Sequence, residues 1–391
     1  MRIFLRALAD ESRLVFLDWG VLVITVLAVV VYAFVYPVPY SNQVLKDVPI
    51  AVVDGDKSGL SRRLVGMADA HEGLRVAARP GSMAEAEAMV RDGRVAGVLA
   101  VPRGFERNVL EGRQSRVSAH LDTSYLLSYS TGLTALMEST GTLSAGVEVA
   151  RWRARGMSRE AALRARRPVA LELRPLFNAT SAYATYVVPA VLILILQQTL
   201  LIGAGMSGGA RSERIAAGRA AAIDAGARPI AQVLGRSVPF LLLYAAHAAF
   251  YFAFIPRHFG YYVPGSLLPA ALLTVPFLLA TVFLGFTLRP LFRRRGTAMQ
   301  VLLFTSLIFV FLGGFAWPAE AVPAWIRSAA RVVPTTSAIP AYLRLTRFGA
   351  GLADVSREAA TLWSLAAIYF PMACAAEWLQ QRRARRVRPG A

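Results

Sequence analysis

The sequence is poor in cysteine, in charge and in histidine, and each shortage removes a class of protein. A single cysteine, Cys374, stands in 391 residues, so no intramolecular disulfide can form. Any domain outside the cytoplasm must then be held by its own core. Cys374 lies in an apolar run, where a thiol packs as a small hydrophobe. Charged residues are 17% of the chain against 55% hydrophobic, with a mean hydropathy of +0.47. A soluble domain needs more polar surface than that to cover its core. The four histidines, His71, His120, His247 and His258, show no metal-ligand spacing. No P-loop is present: Gly203 and Gly208 have its glycine spacing, but Gly209-Ala210 follow where Lys and Ser or Thr must hold phosphate and Mg²⁺. No Ser-His-Asp constellation can be assembled either. The expectation is a protein that is not an enzyme and binds no metal or cofactor directly.

What the sequence has instead is long apolar runs. A helix needs about 20 mostly apolar residues to cross the hydrocarbon layer. Six runs qualify: Trp19 to Tyr36, Tyr183 to Met206, Ser237 to Ile255, Leu267 to Leu288, Ala298 to Trp317, and Ala359 to Leu379. The first starts well inside the chain and has no small-residue cleavage site after it, so it reads as a signal anchor. Lys and Arg number 43 against 24 acidic residues, and the position of this excess decides its meaning. Arg2, Arg6 and Arg13 precede the first run, and Arg211, Arg214, Arg219, Arg228 and Arg236 follow the second. Arg289, Arg293, Arg294 and Arg295 follow the fourth, and Arg382, Arg383, Arg385, Arg386 and Arg388 follow the sixth. These four segments fall on one side. The positive-inside rule makes that side cytoplasmic and places both termini there. The basic excess is then topology, not nucleic-acid binding. The expected location is the inner membrane of a bacterium, with the lipid bilayer as solvent and multiple passes.

The segment 37–182 falls on the opposite side and alternates strand and helix signals. Val48–Asp54, Leu74–Ala78, Val95–Val101 and Arg116–Asp122 read as strands. Ser58–Ala70 reads as a helix, Ser82 with Glu85 as a capping box, and Pro102 opens a helical turn to about Glu111. Ser124–Arg166 reads as one or two long helices whose stripe of Leu126, Leu133, Leu136, Leu143 and Val147 packs within the domain, or else forms a seam for a partner or second copy. Val169–Leu173 closes the domain as a strand. The fold class expected is membrane all-α, six transmembrane helices, with an inserted extracytoplasmic α/β domain. The division is an N-terminal amphipathic elbow 1–18, a first span 19–36, the inserted domain 37–182, five spans in 183–379, and a basic tail 380–391. Within the five-span part lie a cytoplasmic loop 207–236 and an outer segment 318–358.

Four pieces, in this order and on this one-plus-five layout, resemble the permease subunits of type-2 ABC exporters, in the branch with a large extracytoplasmic insertion after the first span. They are Val48-Pro49-Ile50-Ala51-Val52-Val53-Asp54-Gly55-Asp56, then Val98-Leu99-Ala100-Val101-Pro102-Arg103-Gly104-Phe105. The third is Arg211-Ser212-Glu213-Arg214 with Gly226-Ala227-Arg228-Pro229. The fourth is Leu312-Gly313-Gly314-Phe315-Ala316-Trp317-Pro318, continuing to Val322-Pro323-Ala324-Trp325 and Val333-Pro334-Thr335-Thr336. The loop departs from the family's pattern in having Ile215, Ala216 and Ala217 before Gly218-Arg219. The resemblance implies dimerisation, as a homodimer or with a related permease. It implies two cytoplasmic ABC ATPase subunits that carry ATP and Mg²⁺, and it leaves room for a periplasmic adaptor protein. It assigns ATPase coupling to Arg211, Glu213, Arg214 and Gly218. It assigns an outer re-entrant segment to Gly313, Gly314, Trp317, Pro318, Pro323, Trp325 and Pro334.

Polar side chains inside spans must find partners. Gln197, Gln198 and His247 are therefore candidates for lining a translocation path, or else for hydrogen bonds between helices. Asp54 and Asp56 end a strand where turn residues are expected. A receptor or assembly scaffold using the inserted domain is the alternative reading, and five further spans are excessive for anchoring. A membrane enzyme would need a cluster of charge at the membrane boundary, where Glu377 and Asp18 stand isolated in the sequence.

Overall fold

The computed structural model describes residues 1–40, 45–166, 183–217, 228–261, 267–315, 317 and 321–386. The chain divides into two compact units, Val44–Arg174 and the remainder, Met1–Gln43 with Pro175–Ala391. The expected strand Val169–Leu173 lies outside the described residues.

In the unit Val44–Arg174 the strands are β1 (Val48–Asp54), β2 (Leu74–Ala78), β3 (Gly97–Val101) and β4 (Ser118–Leu121), in the order β2-β1-β3-β4. β1 runs parallel to β2 and β3, and β4 is antiparallel to β3. A central strand buried on both faces explains why Val48–Asp54 reads as a continuous apolar run instead of an alternating one. Helix α1 (Arg2–Leu17) belongs to the other unit; α2 (Gly59–Asp69), α3 (Met83–Arg91), α4 (Phe105–Leu110), α5 (Leu126–Ala154) and α6 (Arg159–Arg166) complete this one. Val48, Ile50 and Val52 pack with Leu64 and Val65 of α2 and Leu136 and Leu143 of α5. Ala51 and Val98 pack on the other face with Ala86 and Met89 of α3. Of the expected stripe on α5, the middle is buried, while Leu126 is 77% exposed. Ser82 caps α3 through the Glu85 N–H, and Glu85 reaches back to Gly81, one residue beyond the expected box.

Two of the resemblance-bearing pieces meet here. Asp54 accepts the N–H groups of Asp56 and Lys57 and the Ser61 hydroxyl. Asp56 accepts the N–H groups of Gly104 at 2.7 Å, Phe105 at 3.1 Å and Glu106 at 3.0 Å, capping α4 from another part of the chain. Glu106 in turn accepts the Leu60 N–H at the start of α2. The Asp-Gly-Asp and Arg-Gly-Phe pieces are thus the two halves of one reciprocal cap. Gly55 is required because a Cβ there would stand 3.0 Å from the Val101 carbonyl oxygen.

Among the described residues of the larger unit, six helices are long and apolar enough to cross a membrane: Trp19–Tyr40, Ala184–Ala216, Pro229–His258, Leu267–Leu291, Arg295–Leu312 and Ala353–Arg383. The second is the most enclosed, with 89% of its apolar window buried, and the fifth the least, with 11%. The second span is therefore the hub of the bundle. Val188, Leu192, Leu196, Leu200 and Ala204 sit in one core with Phe240, Tyr244, Phe277 and Phe286. Close approach needs small residues: a Cβ on Gly203 would meet Thr25, one on Gly205 Leu302, and one on Gly285 Ala204. Those contacts explain glycines that imitate a phosphate loop in the sequence.

Several expected boundaries move: the third span already begins at Pro229, within the expected loop 207–236, and the sixth at Ala353. The second span does not stop at Met206 but stays helical to Ala216, so Arg211–Arg214 belong to its last turns. The fifth stops at Leu312 and not at Trp317, because Gly313 caps it and Gly314 turns the chain with φ +72. Beyond it lie α7 (Ala324–Ala330) and α8 (Pro334–Arg347).

The reciprocal cap carries a pH signature. Hydrogen bonds from the Ser58 side chain and from the N–H groups of Glu106, Gly104 and Phe105 hold the Asp56 carboxyl below its usual 3.8. A depressed folded-state pKa contributes stability above the unfolded value and loses it as pH falls through the folded one. Asp56→Asn is expected to speed hydrogen exchange of the 104–106 amides in the full chain at neutral pH. The difference from wild type closes below pH 3.8, and a difference that persists in acid contradicts the cap.

Candidate functional site

Three ion clusters gather the basic ends of the spans. The first forms around α1. Its face Ala7, Glu11, Leu14 and Val15 is buried, and the spacing is that of one helical stripe. Leu5, Phe16 and Leu17 remain exposed, as on a helix lying at a lipid interface. α1 rests on the third span, where a Cβ on Gly235 would stand 2.5 Å from the Phe4 carbonyl oxygen. This close seat carries Glu11 into the bundle, fully buried.

There Glu11 accepts from Arg289 Nη2 at 2.5 Å and from Arg211 Nη2 at 2.7 Å. Arg289, itself 2% exposed, also donates to the Ala204 carbonyl at 3.0 Å and the Ser207 hydroxyl at 2.7 Å, and its guanidinium lies 3.6 Å above the Phe286 ring. Gly208 leaves room for its stem, since a Cβ would meet Arg289 Cγ at 2.7 Å. One acid thus links α1 to the ends of the second and fourth spans. The second cluster joins the first, second and fifth spans. Asp18 caps the start of the first span through Gly20 and Val21 and pairs with Arg295 at 3.3 Å. Glu213 accepts the Arg295 N–H at 3.0 Å, at the start of the fifth span. The third joins the third and sixth spans through a buried Arg236–Glu377 pair and a Gln381–Gln232 hydrogen bond of 2.7 Å. Every span end is tied by at least one of the three.

Of the residues expected to couple, Arg211 and Glu213 make these contacts within the chain, and Arg214 on the same turns is exposed. Gly218 lies outside the described residues. Asp18 and Glu377, isolated in the sequence, are members of clusters. Glu11, Arg236 and Arg289 escaped the sequence reading because their partners are remote, 278 residues apart for Glu11 and Arg289. Their only signal is an ionisable group on the apolar stripe of α1 and arginines at span ends, where Arg289 also suits a helix C-terminus.

Farther along the bundle the polar residues of the spans bind neighbouring backbones. His247 donates from Nε2 to the Thr25 carbonyl at 2.9 Å, and Tyr251 to that of Val29 at 2.6 Å. Thr25 lies in a π-helical turn, Val23–Leu27, of the kind that widens a helix. Gln198 donates to the Leu302 carbonyl of the fifth span. Gln197, fully buried, accepts the Thr335 N–H at 2.8 Å. Pro334 is the first residue of α8 and its preceding residue offers no side-chain cap, so Gln197 supplies that cap from another helix. Gln197 lies 13 residues beyond Ala184 (about 20 Å along the helix), so α8 begins deep in the bundle. It ends near Val188 and Pro189, where Arg347 borders the same small cavity. Pro323 precedes α7, Trp325 is 74% exposed and Trp317 56%, and Pro318 lies outside the described residues.

Gln197→Met removes the cap acceptor and keeps the side chain's length. It is expected to cost about 1–2 kcal/mol in thermal unfolding and to speed hydrogen exchange at the start of α8 ahead of the rest of the bundle. Unchanged exchange there contradicts the capping role.

A family model described as "ABC-2 family transporter protein" matches residues 19–375, nearly the whole chain. The comparison with curated proteins found no match. With six helices fit to cross a membrane, the chain belongs to the ABC-2 transporter family, as a multi-pass membrane subunit of the permease type that is not itself catalytic.

Proposed function

We propose that this chain is an exporter permease, that two copies or two related chains form the pore, and that separate cytoplasmic ATPase subunits drive it. The observation that carries the reading is the linkage of α1 to the second and fourth spans through Glu11, Arg211 and Arg289. It stands at the end of the second span, directly before residues 218–227 of the expected coupling segment 207–236. A push on the end of the second span reaches α1 and the fourth span through buried ion pairs, with little slack. The positive-inside rule places this end, both termini and the loop in the cytoplasm. The unit Val44–Arg174 then lies outside, in the periplasm of a bacterium with an outer membrane, where an adaptor protein can meet it. α8 begins at the depth of Gln197 and ends beside Val188 and Pro189, which supports a re-entrant path for the segment 318–358. The weakly buried fifth span, with Phe304, Leu307 and Phe311 exposed, supports pairing with a second permease. ATP and Mg²⁺ act on the partner chain.

Docking and internal structure separate at two neighbouring residues. Arg214 is exposed, whereas Glu213 holds the start of the fifth span. In pull-downs from gently solubilised native membranes, Arg214→Ala is expected to weaken recovery of an ATPase about fivefold or more with the permease still monodisperse. Glu213→Ala is expected to lower permease stability as well. If wild type brings down no ATPase, the coupling reading fails, the receptor or scaffold role gains, and the search for a ligand moves to Val44–Arg174.

A further inference from the structure

At the end of the bundle away from the ion clusters, a groove of about 290 Å³ opens between the start of the second span, the end of the fifth, and α7 with α8. That is near the lower end of volumes that hold small molecules. Its walls are apolar, with Tyr186, Phe311, Leu343 and Phe348 among them. The charged residues lining it, Arg327 and Arg344, share one sign. Arg344 is held in place by Glu358 at 3.1 Å and the Asp354 carbonyl at 2.5 Å. Thr336 also lines the groove, and its hydroxyl is buried without a hydrogen-bond partner among the described residues. Tyr186 is the third residue of the second span, so the groove sits near the end of that span.

We propose that this groove binds an anionic phospholipid of the adjoining leaflet, with an acyl chain against the apolar walls and the phosphate on Arg327 and Arg344. An apolar slot in a bilayer fills with hydrocarbon whatever the headgroup. Two arginines at its rim add the choice of charge, and their forked N–H groups suit a phosphate. The site rests on the groove's own chemistry and does not depend on the direction of transport or on an ATPase.

The test is native mass spectrometry of the full-length protein, mixed with equal amounts of phosphatidylglycerol and phosphatidylcholine bearing identical chains. Wild type is expected to retain phosphatidylglycerol preferentially, by about fivefold per arginine. Arg327→Gln removes about that factor and leaves phosphatidylcholine unchanged, while Arg327→Lys keeps most of the preference. Val322→Trp, which narrows the groove, displaces both lipids. Equal retention of the two lipids by wild type, or an unaltered ratio in Arg327→Gln, overturns the proposal. So does a chain that retains neither lipid.

Discussion

Burial of Glu11 is the constraint on which the basic end of the bundle depends. A carboxylate with no exposure carries a desolvation cost of several kcal/mol, and only close, well-directed cations offset it. Arg211 and Arg289 supply them from two different spans. Arg289 is buried too, so it needs the Ala204 carbonyl, the Ser207 hydroxyl and the Phe286 ring as well. The stem of that arginine fits only because residue 208 is glycine, and α1 descends far enough only because residue 235 is glycine. Such a pair adds little net stability compared with apolar side chains of equal volume. Its effect is on geometry: rotation of α1, or sliding of the second span against the fourth, would leave a charge unpaired in an apolar interior.

The far half of the bundle is held by a different chemistry. Neutral side chains of the second and third spans bind backbone groups of their neighbours: Gln197 at the start of α8, Gln198 on the fifth span, His247 and Tyr251 on the first. These bonds are individually modest and can be exchanged more readily than a buried ion pair. On the proposed reading, the stiff end receives the ATPase stroke and the softer end opens. The inserted unit carries its own core and its own cap between Asp56 and α4, and so requires no disulfide.

Much of this was legible where a local pattern decides structure. The four strands announce themselves by apolar runs and flanking turns, and the six long helices by length and hydropathy. Asp54 and Asp56 were recognisable as turn residues, but Asp56 not as the cap of α4, because Gly104 and Glu106 lie some 50 residues away. The end of the fifth span was misjudged because Phe315 and Trp317 are apolar, whereas the turn is set by Gly314 and its positive φ. Gln197, Gln198 and His247 were visible as polar residues in apolar runs, yet their partners are backbone atoms, which leave no trace in a sequence. The ion clusters were least legible of all: each pairs residues from separate elements, and any of the seventeen arginines at the same end had an equal claim on Glu11.

The most direct measurement is a double-mutant cycle on Glu11 and Arg289, read by thermal unfolding of the purified protein in detergent. Wild type, Glu11→Gln, Arg289→Gln and the double variant suffice. The account predicts that each single change is costly, about 3–5 kcal/mol where a buried charge loses its partner. It predicts that the double variant loses less than the sum of the two, by about 1–3 kcal/mol. Costs that simply add would mean that Glu11 and Arg289 do not act on one another, and the linkage between α1 and the spans would fall with them.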